Sequence, residues 1–256
     1  MSPICLGMVD TPEVITAAFD AGINFFFVTA DMHWPLYEPV RLGLQRLLKR
    51  RNVRSKVVVC ATAYVTQPDF CEAPFEELIN SIPGLAHLDV LCAGGAYGGD
   101  FGPRLPVYRR HRETRFVGCR AVAASFHERS IARVAVEHEL VDLAFVRFNA
   151  GHAGAREDLF PHLPAKRRTR LFNFKAVDAW VSPSRLAELG LDADNWHPHP
   201  TDHYRFVLSQ PELDGALVSL ERPRQVRELA DALARGPLSD AEQEYLMTLS
   251  HADRTA

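Results

Sequence analysis

The tetrapeptide Asp31-Met32-His33-Trp34 follows directly behind the apolar run FFFVTA. An imidazole can give or take a proton near neutral pH without a second group to tune it, and here Asp31 supplies a neighbouring carboxylate and Trp34 an apolar wall. Three cations sit close to the ends of other apolar runs: Arg120, Arg147 and Lys175, with Asn149 sharing the strand parity of Arg147. Aimed into one cavity they would bind an anionic small molecule, arginine offering its fork to a carboxylate or phosphate. Paired with Glu221 or Asp31 they would form a structural network instead. Lys175 beside Phe172 and Phe174 is either a base or Schiff-base former in an apolar cup or a lysine reaching to solvent. The candidate set is therefore His33, Lys175 and Asp31 for catalysis, and Arg120, Arg147, Asn149, Trp34, Phe174 and Tyr97 for substrate binding. The spacing predicts that His33, Arg120 and Lys175 converge on one pocket and that His33 carries the proton.

Other clusters promise less. Trp196-His197-Pro198-His199 followed by Thr201-Asp202-His203 has the look of a metal site, but two prolines keep the segment extended and the imidazoles need not converge. The stretch Gly94 to Gly102 holds five glycines yet lacks the Gly-Lys-Ser/Thr of a phosphate loop; it reads as a lid with Tyr97 and Phe101 as covers, or as a plain loop. The five cysteines, Cys5, Cys60, Cys71, Cys92 and Cys119, form no C-x-x-C and read as buried, reduced thiols, Cys60, Cys92 and Cys119 within strands.

The chain of 256 residues is 47% hydrophobic and 24% charged, with 29 Lys and Arg against 32 Asp and Glu for a formal charge of −3. No global basic field exists to attract a phosphate backbone, so nucleic-acid binding is not expected. No apolar run reaches the roughly 18 residues of a membrane span, and the first residues lack the pattern of a signal peptide; a cytoplasmic protein is expected.

Elements that would position the candidate residues alternate along the chain. Strand-like runs fall at 4–9, 23–29, 57–62, 88–93, 116–121, 141–149, 171–174 and 215–219, several continuously apolar as in strands covered on both faces. Between them lie helical patterns with recognisable ends: Asp10-Thr11-Pro12 before Val14 and Ile15, Gly22 as a stop, and S-x-x-E boxes at Ser125–Glu128 and Ser239–Glu242. Strict alternation predicts an α/β fold, one closed (β/α)8 TIM barrel over residues 1–256, with an extra C-terminal helix after Ser239. In such a barrel the chemistry lies behind the C-terminal strand ends.

The opening LGMVDTPEVITAAFDAGINFFFVTADMHWPLYEPVRLGLQRLL, with VVVCATAYV, RFVGCRAVAAS, VDLAFVRFNAGHAGAREDLFPHL and DHYRFVLSQPELDGALVSLERPRQVREL, resembles the aldo-keto reductase superfamily over nearly the whole chain. The resemblance implies that family's barrel. It also implies a tetrad of Asp, Tyr, Lys and His, whose positions fall on Val28, His33, Ala63 and Gly94, so none of the four is kept. The carboxamide clamp of the family's nicotinamide cofactor aligns with Arg120, Ala121 and Phe145. The aromatic that stacks on nicotinamide survives as Phe174, the following phosphate-side serine has become Lys175, and the family's Glu-Asn pair near the adenine is reduced to Glu228-Leu229. The eighth-strand phosphate turn has no counterpart in VSLERPRQ.

Three functions remain open. The first is a cofactor-independent acid–base enzyme of lyase, isomerase, dehydratase or cyclase type, acting on a small anionic metabolite of a specialised pathway. The second is a divergent NADPH-dependent reductase with His33 in place of Tyr. The third is a catalytically silent binding or regulatory subunit that retains the barrel.

Overall fold

The structure, a computed structural model, describes residues 1–111, 117–191 and 195–255. Its elements in chain order are β1 (Ile4–Val9), α1 (Glu13–Asp20), β2 (Phe25–Thr29), α2 (Glu38–Leu48), β3 (Val58–Ala63), α3 (Ala73–Ser81), β4 (Val90–Ala96), α4 (Gly98–Arg110), β5 (Ala121–Phe126), α5 (Arg129–Glu137), β6 (Leu143–Arg147), α6 (Ala155–Asp158), β7 (Arg170–Phe174), α7 (Pro183–Glu188), α8 (Pro200–Leu208), β8 (Gly215–Leu220), α9 (Pro223–Ala234) and α10 (Asp240–Thr255). The eight strands pair in sequence order, all parallel, and β8 closes onto β1. The fold is the (β/α)8 barrel that the alternation predicts.

The barrel interior is aromatic. Phe25 and Phe172 meet edge to face at 5.6 Å, Phe27 and Phe145 at 5.7 Å, and Phe145 and Phe172 at 5.6 Å, contacts that add to the area they bury. Rings of this size fit because β8 begins with Gly215, where a Cβ would stand 2.3 Å from Phe172 and 2.1 Å from the Pro3 carbonyl oxygen. Outside the sheet the helices bury their apolar stripes, Val40, Leu44 and Leu47 on α2 and Val226 and Leu229 on α9.

Several helix ends form as the sequence implies. Gly22 at φ 91° and Gly236 at φ 82° terminate α1 and α9. Ser239 and Glu242 make the reciprocal cap of α10, the Glu242 carboxylate accepting from Ser239 N at 2.7 Å and Ser239 Oγ accepting from Glu242 N at 3.3 Å. The other box is a correction: Ser125 lies in β5 and α5 starts after Glu128.

The largest departure is the fifth strand, expected at 116–121 and found at Ala121–Phe126. Phe116 lies outside the described residues, and Gly118 at φ 54° breaks the extended run before it can join the sheet. The pairing that builds β5 runs through Val122 opposite Leu91 and Ala124 opposite Ala144. Cys119 therefore precedes the strand and is not part of it. The glycine-rich stretch is no lid either: Gly94 and Gly95 end β4, Gly98 and Gly99 open α4, and Phe101 is buried against Phe126 at 5.1 Å.

Candidate active site at the barrel mouth

At the C-terminal ends of the strands a cavity of about 430 Å³ opens to solvent. Its floor and walls are Phe27, Phe145, Phe174, Leu36 and Tyr37; its polar groups are His33, Tyr64, Ser125, His127, Lys175 and Asp178. The sequence candidates His33, Lys175 and Phe174 come together here.

His33 closes the turn behind β2, and its ring meets Tyr64 edge to face at 4.7 Å. Tyr64 is the first residue after β3. Burial, followed by the neighbouring Cys92 and Asp31, pushes its phenol well above the ordinary range, so it stays protonated. The strand ends beneath it are tied by Arg104, a wholly buried side chain from α4 that donates to the carbonyls of Ala63 at 2.6 Å and Gly94 at 3.2 Å. The same guanidinium also meets the Asp100 carboxylate at 3.4 Å and the Tyr108 hydroxyl at 3.2 Å.

His127 is the first residue after β5. Its ring packs edge to face on Phe174 at 5.2 Å and stacks with Tyr97 at 6.0 Å. Burial holds it below the ordinary imidazole range, assisted by the positive charges of Lys175 and Arg147. Neither His127 nor His33 has a hydrogen-bond partner among the described residues.

Lys175 follows β7 at φ 64°, a left-handed conformation that a lysine adopts only when its surroundings impose it. Asn149 does so: its amide donates to the Lys175 carbonyl at 2.7 Å and its oxygen accepts from Gly151 N at 3.0 Å. Lys175 Nζ lies 3.1 Å from Asp178, and Arg147 reaches the same carboxylate at 3.8 Å. One carboxylate thus holds two cations, leaving the rim net positive.

Five expectations need correction. Arg120 precedes β5 and lies at the opposite, N-terminal end of the barrel, 74% exposed and 3.9 Å from Asp89; it does not converge with His33 and Lys175, because the strand begins where it was expected to end. Asp31 is a structural carboxylate, accepting from Thr29 Oγ1 at 2.7 Å and from the backbone N–H groups of Tyr64 and Val65. Trp34 points away from the cavity and stacks under Arg41 at 5.8 Å. Asn149 is buried and spent on the backbone. Tyr97 stands outside the cavity wall, backing His127. Among the described residues no group of three metal-ligating side chains converges, and His199 is occupied as the cap of α8, bonded to Thr201.

His127, Ser125 and Tyr64 escaped the sequence reading. The signal for His127 and Ser125 was the polar end of AVAASFH, hidden by the misplaced fifth strand. For Tyr64 it was simply the position behind VVVCATA.

A closed eight-stranded parallel barrel with an apolar, histidine-lined mouth defines a (β/α)8 scaffold with its cavity at the C-terminal strand ends. No protein-family model matches the chain, and no curated protein matches it. Among solved structures it is similar to the aldo-keto reductase AKR11C1 from Bacillus halodurans in its holo form, with a TM-score of 0.69 and 13% identity over 97% of this chain and 92% of that one. It is similar to the thermostable aldo-keto reductase Tm1743, solved with the inhibitor epalrestat, with a TM-score of 0.69 and 12% identity over 97% and 95%. These likenesses establish the fold. No described helix is long and apolar enough to cross a membrane.

The nicotinamide cofactor that the resemblance implies can be tested against these residues. Phe174 offers a ring face, and Ser125, whose oxygen accepts from Gly95 N at 2.8 Å, keeps a hydroxyl to donate. The phosphate side does not fit. Beyond the mouth the groove toward α9 is lined by Asp10, Glu221 and Glu228, and no lysine or arginine is among the described residues that line it.

Proposed function

We propose that this chain is a cofactor-independent acid–base enzyme of the isomerase, lyase, dehydratase or cyclase type, acting on a small molecule whose reacting end carries a carbonyl or carboxylate. The observation that carries the reading is the pair of imidazoles, His33 and His127, that face one apolar cavity with no hydrogen-bond partner among the described residues. His127, kept neutral, takes a proton from the carbon beside the carbonyl. The C–H electron pair moves into the carbonyl, and the resulting enolate oxygen is stabilised by the Lys175–Arg147 rim. Protonated His127 returns the proton to the same carbon, or a protonated His33 delivers one to a neighbouring carbon while His127 gives its proton to water, which in turn reprotonates His33, so no electrons leave the substrate. The net positive rim supports an anionic reacting end, now without Arg120.

The experiment is solvent exchange. A panel of 2-oxo and 3-oxo acids is incubated with the protein in D2O, without and with NADPH, and carbon-bound deuterium is read by NMR. Incorporation without NADPH that disappears in His127→Gln supports the proposal. Turnover that requires NADPH supports instead the divergent reductase, the reading favoured by Phe174 and by the solved structures of similar fold. A protein inert on every arm would leave the silent binding subunit.

A further inference from the structure

The mouth is only half of a longer cleft. A second cavity of about 420 Å³ continues from it past Met8, Leu36 and Val177, which border both, and runs between β8 and the start of α8 to the first turn of α9. Its far end is acidic. Asp10 and Glu221 have no ion-pair partner among the described residues, while Glu228 has only Arg224 at 3.8 Å. Trp180 forms one wall, 40% exposed, its indole N–H fixed on the Pro198 carbonyl at 3.1 Å so that the ring borders the groove.

Helix N-termini that open on a groove are the usual seats of phosphate, and the one at α8 is closed by the protein itself. At α9, Gln225 Oε1 accepts from Arg222 N at 2.9 Å and from Glu221 N at 2.6 Å, which takes up the amides of the two residues leading into the helix. His199 Nδ1 accepts from Thr201 N at 3.3 Å, and the Asp202 carboxylate accepts from His199 N at 3.0 Å, which seals α8. The groove therefore presents unpaired carboxylates and an indole, and no lysine or arginine is among the described residues that line it. An anion entering it would lose hydration and find only like charge. A cation would find Coulomb attraction together with an aromatic ring.

We propose that this groove is the far half of the ligand site and binds a positively charged nitrogen, so that the substrate is elongated, with its reacting carbonyl end in the mouth, an apolar middle along Met8, Leu36 and Val177, and an amine at Trp180, Asp10 and Glu221. The substrate assignment rests on the mouth being the reacting end; the cation subsite rests on the groove alone.

The test is calorimetric titration of the full chain with three matched probes: phenylhexylamine, phenylhexanol and phenylhexyl phosphate. Phenylhexylamine should bind about tenfold more tightly than phenylhexanol, and the advantage should shrink as salt is raised. The double variant Asp10→Asn/Glu221→Gln should abolish the advantage while leaving phenylhexanol unchanged, and Trp180→Leu should reduce it. Equal binding of amine and alcohol, preference for the phosphate, or no binding of any probe overturns the proposal. Because binding alone is read, amine preference persisting in a protein that exchanges no deuterium would sink the acid–base reading and spare the groove, and the reverse result would do the opposite.

Discussion

A Cβ on Gly94 would stand 2.7 Å from Cδ1 and 2.8 Å from Cε1 of Tyr64, so the Tyr64 ring fills the space in which any side chain at position 94 would begin. In the resemblance that position belongs to the family's histidine, and the family's tyrosine position holds His33. The mouth thus holds one phenol and one imidazole in edge-to-face contact, the imidazole from the turn behind β2 and the phenol from the end of β3. The phenol's place needs the glycine, because Thr62 Cγ2 closes the other side at 2.7 Å.

Gly94→Ala should accordingly destabilise the protein by about 1–3 kcal/mol, the usual range for overpacking. Urea unfolding of Gly94→Ala, Tyr64→Ala and the double variant forms a cycle, and removal of the ring should relieve much of the alanine's cost. Additive effects would show that the two positions do not compete for space.

NADPH should bind poorly. The reason differs from the one the sequence suggested, since Arg120 and Ala121 lie at the start of β5 and cannot meet a carboxamide. What remains is the phosphate side, where Asp10, Glu221 and Glu228 line the groove and the start of α8 is capped by His199 and Asp202. Fluorescence titration should give no saturation in the low micromolar range, which corresponds to about −8 kcal/mol; a constant in that range would contradict the prediction.

What the sequence revealed about the site followed strand by strand from how well each strand could be read. β7 is a bulky run ending at Phe174, so Lys175 was placed correctly at its rim; β2 likewise placed His33. The fifth strand is Ala121, Val122, Ala123, Ala124, Ser125 and Phe126, four of the six being alanine or serine of weak strand signal, held by ladders to β4 and β6. Misreading it carried Arg120 to the wrong end of the barrel and hid His127. Asp31 and Asn149 are rim residues, as expected, but their side chains are consumed by backbone N–H and carbonyl groups of distant segments, which spacing along the chain does not disclose.

Four of the five thiols should resist reagents in the native protein. Cys5, Cys60, Cys71 and Cys92 are buried, and burial raises the pKa of the first three. Cys119, partly exposed at the N-terminal side of the barrel, should react alone with a colorimetric disulfide reagent, the others only after unfolding. Because it lies opposite the mouth, its modification should leave activity intact.

Acid should weaken the fold through His203. Its ring is packed among Ala179, Val181, Pro198, Leu246 and Leu249 beneath α10, and burial lowers its pKa to about 4. The unfolded chain, titrating near 6.5, binds the proton first, so the His203 contribution is complete above about 6.5 and is lost as pH falls toward about 4, on the order of 3 kcal/mol across that window. His87, His111, His127 and His152 are also lowered and act in the same direction. Replacing His203 by Phe should make the melting temperature fall less steeply between those limits; an unchanged slope would remove His203 from the account.

His127 can be examined without a substrate. Burial is the largest cause of its lowered pKa, and Lys175 and then Arg147 add to it, since both cations oppose a third positive charge. Removing the nearest of them should therefore let the imidazole protonate more readily. In Lys175→Met the His127 resonance, followed by NMR across a pH titration, should move at a higher pH than in the parent chain while remaining below the ordinary 6.5 because the burial persists. If His127 is the base that takes the substrate proton, the acidic limb of the deuterium-exchange profile must shift by the same amount, for that limb reports the base in the free enzyme. His127→Gln should lower exchange by roughly 10²–10⁴-fold with a melting temperature close to that of the parent. Should the NMR titration shift while the exchange limb stays fixed, the electrostatic account of His127 would hold and the base would be His33.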